Sequence, residues 1–350
     1  MCPVPKKILC LLLAFLLFLP CAVSAEAQDP PDLPEDGFEA SEGGSSGMPT
    51  GMAGLSSENF SADDIPAEYL ETCDRQGRVE KVRYTVSTDE GKQVKIATVY
   101  LPQGYDESGE KYNVLYLLHA ASGKPQNYLD PDKETSFRNL LDHMIADGVL
   151  EPLIVVAATY YPTEGFMKFM PLEMQVAAIS DFPEELVTLV IPAVESGYRT
   201  FAESTDQAGI EASRSHRGVA GFSLGGVATW NVFQKEMRCF RWFLPISEAS
   251  WSDEEGGTSG IWDSDVSAQV LYEAVLEQGF GKDDFRLFVA TGTDDEAFDI
   301  STSQMVSLLE YADIFMPGDN TSCSMMAGGT HTITAVYTYL YHIMPALFRD

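Results

Sequence analysis

The sequence predicts an α/β protein with a mostly parallel central sheet, helices on both faces and an antiparallel N-terminal edge. Short apolar runs of strand length alternate along the chain with longer amphipathic runs of helix length. Strands separated by helices are joined by right-handed crossovers, which makes neighbouring strands parallel. The first two strand-like runs are instead joined by the turn Asp89-Glu90-Gly91, which is long enough only for antiparallel pairing. With 350 residues, 45% of them hydrophobic, the chain can bury a full core.

The predicted elements follow in chain order. Short apolar runs rich in β-branched and aromatic residues predict strands at 82–86, 94–100, 114–118, 153–158, 219–222, 243–246, 287–291 and 322–326. Longer runs with apolar residues three and four positions apart predict helices at 137–147, 184–195, 225–237, 267–278, 302–315 and 332–348. The two sets interleave from residue 114 onward, as a parallel sheet with helical crossovers requires.

Residues 1–25 have the pattern of a secretory signal peptide. Two lysines precede the apolar run 8–19, which is too short to span a bilayer comfortably, and small residues close the segment at Val23-Ser24-Ala25. The sequence therefore predicts a secreted protein. The alternative is a lipoprotein on the cell surface, anchored through Cys21, although the proline directly before this cysteine fits that alternative poorly. Apart from such a lipid anchor, no membrane attachment is expected.

Residues 26–64 are rich in proline, glycine, serine and acidic residues, as in Glu42-Gly43-Gly44-Ser45-Ser46-Gly47. Such a composition cannot bury enough apolar surface to fold, so it predicts a disordered linker. Residues 65–350 contain all the predicted strands and helices and are therefore the predicted catalytic domain.

Charge and cysteine content exclude several classes of partner. The formal net charge is −31, with 53 acidic and 22 basic residues. Nucleic acids and anionic membrane surfaces would be repelled by this charge, so neither is expected to bind. Three of the six cysteines lie in the predicted signal peptide, and Cys73, Cys239 and Cys323 remain, which predicts buried thiols rather than a disulfide framework. Because no metal-ligand spacing of His or Cys occurs, no metal and no cofactor are expected.

The motif Gly221-Phe222-Ser223-Leu224-Gly225-Gly226 lies between a strand-like run and a helix-like run. A serine between glycines at a strand-to-helix turn is typical of the nucleophile elbow of α/β-hydrolases, in which the serine Oγ is exposed at the helix N-terminus. The turn is too tight for a Cβ, which explains the glycines at positions 221 and 225. The sequence therefore predicts an α/β-hydrolase fold with Ser223 as the nucleophile.

A serine nucleophile needs a base, and in this fold the acid and then the base follow the serine along the chain. Of the five histidines, His331 is the one on a loop after the candidate acids, in the turn Gly328-Gly329-Thr330-His331. The others end a strand, precede the nucleophile strand or lie in predicted helices (His119, His216, His143 and His342). His331 is therefore the predicted base.

The acid that orients this histidine should follow a parallel strand at its carboxyl end. Asp295 is preferred, because the turn Gly292-Thr293-Asp294 should direct the next residue back toward the site. Asp294 and Glu248, which also follow strand-like runs, and Asp299 remain alternatives.

Two backbone N–H groups should form an oxyanion hole, one from the residue after the nucleophile and one from the loop after the third strand. Leu224 supplies the first donor, and Ala121 is assigned the second. Aromatic residues at other strand ends, Tyr160, Tyr161 and Trp251, are expected to line the cleft, with Tyr160 and Trp251 as candidate substrate-binding residues and ordinary loop packing as the alternative. The insertion 162–175 is a candidate lid, or else a turn that packs locally.

Residues from about 65 to the C-terminus resemble the feruloyl and acetyl-xylan esterase group related to esterase D, which are carbohydrate esterase family 1-like α/β-hydrolases. Four segments match in order: Tyr116-Leu117-Leu118-His119, Gly221-Phe222-Ser223-Leu224-Gly225-Gly226, Gly292-Thr293-Asp294-Asp295 and Gly328-Gly329-Thr330-His331. The resemblance implies a triad of Ser223, Asp295 and His331, in agreement with the residue-based prediction. One departure is Ala120, where the family usually has glycine; alanine would be strained there if the position needs a positive φ.

The resemblance and the signal peptide imply a secreted serine carboxylester hydrolase that removes feruloyl or acetyl groups from plant cell-wall xylan through an acyl-enzyme. Its partner would be an esterified polysaccharide or a small ester substrate. The alternatives are another acyl-ester hydrolase or acyltransferase, such as a siderophore-lactone or lipid esterase, and a non-catalytic binding protein on the same scaffold. A complete triad argues against the non-catalytic alternative, since binding alone does not need it.

Overall fold

Nine strands form one sheet in the computed structural model, which describes residues 59–88, 91–162 and 171–349. In chain order the strands are β1 (Asn59–Phe60), β2 (Arg78–Thr88), β3 (Gly91–Leu101), β4 (Val114–Leu118), β5 (Ile154–Ala158), β6 (Arg217–Phe222), β7 (Trp242–Ile246), β8 (Arg286–Gly292) and β9 (Thr321–Met326). The helices are α1 (Tyr105–Ser108), α2 (Ser136–Ala146), α3 (Leu172–Glu185), α4 (Ile191–Glu195), α5 (Gln207–Ala212), α6 (Leu224–Glu236), α7 (Ser264–Glu277), α8 (Phe298–Leu308) and α9 (Ile333–Ile343). The predicted signal peptide, most of the predicted linker and residues 163–170 of the candidate lid lie outside the described residues.

The sheet has the order β1-β9-β8-β7-β6-β4-β5-β3-β2. Every neighbouring pair from β1 to β5 is parallel, whereas β5 with β3 and β3 with β2 are antiparallel. All the predicted strands are present, and the mostly parallel sheet with an antiparallel N-terminal edge is confirmed. The fold is that of an α/β-hydrolase.

The first strand was not predicted, and it lies within the predicted linker. Asn59 and Phe60 pair in parallel with Met325 and Met326 of β9, on the N-terminal side of the expected boundary at residue 65. A strand of two residues is too short to show the alternation of apolar and polar residues. Its extended conformation comes from pairing with a distant segment, which the local sequence does not report.

The helices agree with the predictions at their centres and differ at their ends. The helix expected at 184–195 begins at Leu172 and runs through a π-helical segment, Leu186–Val190, into α4. Pro183 lies inside this helix and lacks the N–H of the helical ladder, which is why the sequence there resembles a helix start. The short helices α1 and α5 were not predicted.

Both faces of the sheet are buried, and β4 shows this residue by residue. Val114, Tyr116 and Leu118 belong to one apolar cluster, while Leu115 and Leu117 belong to the other, and all five are at most 1% exposed. Helices α3 to α8 contribute to the first cluster, and α2 and α9 to the second. This is the burial of parallel strands covered by helices on both sides. Within the described part of the chain, no helix is both long and apolar enough to cross a membrane.

Candidate active site

Ser223 lies in a strained turn between β6 and α6. Its φ of 57° and ψ of −125° are unusual for a residue with a side chain. The turn is held by backbone hydrogen bonds, from the Ser223 N–H to the carbonyl of Ile246 (3.0 Å) and from the Gly226 N–H to the carbonyl of Ser223 (2.6 Å). The packing of β6 against β7 therefore keeps the serine in this conformation.

The glycines around Ser223 are required by close backbone contacts. A Cβ on Gly221 would lie 2.1 Å from the carbonyl oxygen of Gly225. A Cβ on Gly225 would lie 2.6 Å from the carbonyl oxygens of both Leu118 and His119. The loop after β4 thus lies directly against the first turn of α6, as an elbow with an adjoining oxyanion loop requires.

His331 and Asp295 are hydrogen bonded to each other. His331 Nδ1 lies 2.8 Å from Asp295 Oδ1, which also accepts the Ala297 N–H at 2.8 Å. The Asp295 side chain is fully buried, whereas that of His331 is 26% exposed. The His331 ring packs against Phe222, the residue before Ser223, with 4.5 Å between ring centroids. The structure therefore brings Asp295 and His331 together beside the elbow.

The other candidate acids lie in different surroundings. Asp294 and Asp299 are exposed, and Asp294 accepts a 3.3 Å hydrogen bond from the neighbouring Thr293. Glu248 follows Ser247, a second strained residue with a φ of 52°. The hydrogen-bond geometry favours Asp295 as the acid, and its catalytic role stays a prediction.

The pKa of His331 reflects two opposing influences. Burial alone would lower it, but the hydrogen bond and negative charge of Asp295, with the charges of Glu296 and Glu248, raise it above its ordinary value of 6.5. The arrangement therefore stabilises the imidazolium form, which is the form a base has after it accepts a proton.

Glu248 is a second carboxyl group in this region. Its Oε1 accepts the N–H of Ala249 at 3.2 Å and Nε1 of Trp251 at 3.4 Å. Burial raises the pKa of this carboxyl to about 7. The sequence suggested Glu248 as an alternative acid but carried no sign that it would titrate near neutrality.

The predicted substrate-binding aromatic residues are less exposed than expected. Tyr160 is 2% exposed and donates its hydroxyl to the carbonyl of His119 at 2.8 Å, so it supports the loop after β4 instead of lining an open rim. Tyr161 is 5% exposed, and Trp251 is 8% exposed beside Glu248. Loop packing, the alternative considered from sequence, describes Tyr160 well. A substrate contact remains a prediction for Trp251.

The predicted oxyanion donors lie on adjoining segments. Leu224 is the first residue of α6, and Ala121 lies in the turn after β4, which is closed by a 2.8 Å hydrogen bond from the Gly123 N–H to the carbonyl of Ala120. Among the described residues with side chains, only Ser223, Ser247 and Phe348 have a positive φ. Alanine at position 120 is therefore free of the strain that its departure from glycine suggested.

One group of described residues could offer three metal ligands within 4.8 Å of one another, namely Asp295, Glu296 and His331. Two of them are the hydrogen-bonded pair described above, and Glu296 lies 4.0 Å from His331 Nδ1 with a side chain that is 66% exposed. Asp295 Oδ1 and His331 Nδ1 are thus already bonded to each other, and the absence of a metal stays an expectation from sequence.

Comparison with known sequences finds relatives among xylan-degrading enzymes. No protein-family model matches the chain. It is 34% identical over 290 residues, 81% of its length, to endo-1,4-β-xylanase Y of Acetivibrio thermocellus. It is 30% identical over 183 residues, 51% of its length, to an endo-1,4-β-xylanase/feruloyl esterase of Xylanibacter ruminicola. The chain spans only 24% and 23% of these two relatives, so it corresponds to a part of each.

Solved structures similar to this chain also include feruloyl esterases. The feruloyl esterase module from Clostridium thermocellum, solved as a complex with sinapinate, matches with a TM-score of 0.71 and 31% identity over 84% of this chain and 95% of the module. The ferulic acid esterase of the anaerobic fungus Anaeromyces mucronatus matches with a TM-score of 0.61 over 84% of this chain and 98% of the fungal one. At 19% identity, this second match shows a shared fold.

Proposed function

The chain belongs to the feruloyl esterase family of α/β-hydrolases, and on that premise we propose that it removes feruloyl groups from xylan through a triad of Ser223, His331 and Asp295. Membership makes it a carboxylic ester hydrolase of the serine type. The second candidate for the acyl group that is removed is the acetyl group, but the names of the relatives favour the feruloyl group.

The observation that carries the proposal is the pair formed by His331 and the buried Asp295 beside the elbow. The 2.8 Å hydrogen bond holds the ring with a proton on Nδ1, which leaves Nε2 free of that proton and able to accept one from Ser223. A binding protein would gain nothing from a buried carboxylate on this histidine, since burying the charge costs free energy.

The chemistry then follows in two halves. Ser223 Oγ attacks the ester carbonyl carbon while its proton passes to His331 Nε2, and the resulting oxyanion accepts the N–H groups of Leu224 and Ala121. The bond between the acyl carbon and the sugar oxygen breaks, and the sugar oxygen takes the proton from His331. The feruloyl group stays bound to Ser223 as an ester. Water attacks this acyl-enzyme, gives a proton to His331, and ferulic acid leaves as the serine recovers its proton. No step needs a metal or a cofactor.

The test compares substrates and one substitution. The purified protein should hydrolyse methyl ferulate and feruloylated xylo-oligosaccharides with kcat/KM at least about tenfold above that for acetylated xylan. Ser223→Ala should abolish both this activity and labelling by a fluorophosphonate. Ser322→Ala on β9 is a matched control and should retain both. Undiminished labelling of Ser223→Ala would contradict the nucleophile assignment, and a preference for acetyl esters would replace ferulate as the substrate.

The location is proposed from the N-terminal segment. We expect the protein in the culture medium with residue 26 at its N-terminus, because residues 1–25 have the signal-peptide pattern. Recovery in the membrane fraction with a lipid on Cys21 would support the lipoprotein alternative instead.

A further inference from the structure

The loop after β4 is held by three side chains that bind three successive backbone carbonyls. The hydroxyl of Tyr160 donates to the carbonyl of His119, and the hydroxyl of Tyr161 donates to that of Ala121. Between them, Nδ1 of the His119 ring lies 2.8 Å from the carbonyl oxygen of Ala120. This oxygen also accepts the Gly123 N–H at 2.8 Å. The orientation of the Ala120 carbonyl is therefore set from two sides.

The contacts of His119 determine which ring nitrogen carries the proton. The residue is 1% exposed, and burial lowers the pKa of its ring to about 4, so the ring is neutral at ordinary pH. A carbonyl oxygen can only accept, so Nδ1 must be the donor to Ala120. Nε2 is then the acceptor, and Thr159 Oγ1, at 2.7 Å, donates to it. The Ala120 carbonyl thus fixes the tautomer, and the Thr159 hydroxyl, which can donate or accept, satisfies the other ring nitrogen.

Because the Ala120–Ala121 peptide is planar, the hydrogen bond to the Ala120 carbonyl also fixes the direction of the Ala121 N–H. No cis peptide bond occurs among the described residues, so the C=O of Ala120 and the N–H of Ala121 point in opposite directions. Fixing the carbonyl toward His119 and Gly123 therefore turns the Ala121 N–H away from them. The carbonyls of Leu118 and His119 lie against Gly225, which keeps this turn beside the start of α6.

We propose that His119 is a positioning residue, which orients the Ala120–Ala121 peptide so that the Ala121 N–H is ready to bind the oxyanion, while Thr159 donates to the other ring nitrogen and holds the ring in place. This inference rests on the proposed function, since it concerns the oxyanion of that reaction. A donor fixed before the reaction stabilises the transition state without reorganisation, and it contributes little to binding of the ground state.

The test uses three substitutions of His119 with different donors. Asparagine can place its amide N–H where Nδ1 lies, glutamine can place it only near Nε2, and leucine has no donor. We expect His119→Leu and His119→Gln to lower kcat by about 100-fold, the usual effect of losing one oxyanion donor, with KM changed less than about threefold. His119→Asn should recover most of kcat. Thr159→Val should lower kcat in the same direction by a smaller factor.

Inhibitor binding separates positioning from general damage. An arylboronic acid forms a tetrahedral adduct with the serine and should bind His119→Leu about 100-fold more weakly, while the product ferulate should bind as in the wild type. His342→Leu, which removes a histidine from α9 far along the chain, should change neither affinity. If His119→Leu loses both affinities equally, or if His119→Asn is no better than His119→Leu, the proposal is wrong. A wild-type protein without esterase activity would instead refute the proposed function.

Discussion

Three carboxyl groups act on His331, and the two that are not exposed, Asp295 and Glu248, differ in their surroundings. Asp295 Oδ1 accepts two hydrogen bonds at 2.8 Å, from His331 and from a backbone N–H. Glu248 accepts longer ones, at 3.2 and 3.4 Å, from a backbone N–H and from Trp251. Burial therefore dominates at Glu248 and raises the pKa of its carboxyl to about 7. Glu248 changes its charge in the pH range in which His331 must act as a base.

We predict that Glu248→Gln shifts the acidic limb of the kcat/KM profile to lower pH. The negative charge of Glu248 raises the pKa of His331, so removing this charge lowers that pKa and keeps the base neutral in more acidic solution. The measurement is kcat/KM for methyl ferulate across the pH range. Glu296→Gln is the comparison and should shift the limb in the same direction, because the charge of Glu296 also raises the pKa of His331. A shift to higher pH would show that the charge of Glu248 does not act on His331.

The identity of the acid gives a second prediction. Asp295→Asn should lower kcat by about 10⁴-fold, because asparagine favours the wrong tautomer of the histidine. Asp294→Asn, which changes the exposed neighbouring side chain in the same way, should remain close to wild type. Steady-state kinetics of both variants decide the matter. If Asp295→Asn is nearly wild type and Glu248→Gln is inactive, the acid is at the end of β7.

Helix α4 is attached to β6, the strand that precedes Ser223, by a buried ion pair. Arg217 of β6 donates to both oxygens of Glu195 at 2.7 and 2.9 Å, and the two side chains are 2% and 1% exposed. Tyr116 and Thr200 donate to the same carboxylate at 3.1 and 3.0 Å. The helix is thereby joined to two neighbouring strands, β4 and β6, which are followed by Ala121 and Ser223, the predicted oxyanion donor and nucleophile.

We predict that Glu195→Ala lowers the free energy of unfolding by about 3–5 kcal/mol, because it leaves a buried guanidinium without its partner. Denaturant unfolding measures this change. Glu203→Ala is the matched control, since its pair with Lys111 is exposed (45% and 83%), and it should change the free energy of unfolding far less. Equal effects of the two substitutions would show that burial of the first pair does not matter for stability.

The topology of the whole domain explains why the site lies where it does. Strands β9, β8, β7, β6 and β4 are consecutive neighbours in the sheet and all parallel, so their carboxyl ends meet at one edge. The segments that follow them carry the candidate groups: His331, Asp295, Glu248, Ser223 and Ala121. Helices cover both faces of the sheet, which leaves this edge as the place where loops converge. Residues that are distant in sequence therefore form one site.

Much of the fold and of the candidate site could be predicted from local sequence patterns. The apolar runs of β4 to β9, the glycines around Ser223 and the glycine-flanked His331 each reflect a constraint within a few residues of chain. Helix ends were predicted less well, as in α3, where Pro183 is accommodated inside the helix by packing that no local pattern reports.

The sequence by itself determined the fold class and the glycine-flanked turn at Ser223, and it predicted the order of serine, acid and histidine, because steric limits and hydrophobic periodicity act over short distances. Only the tertiary structure decided the pairing of β1 with β9, the burial of Tyr160, the raised pKa of Glu248 and the hydrogen bond between His119 and Thr159. Each of these depends on groups brought together from distant parts of the chain. Pairing, desolvation and hydrogen bonding across such distances exist only once the chain has folded.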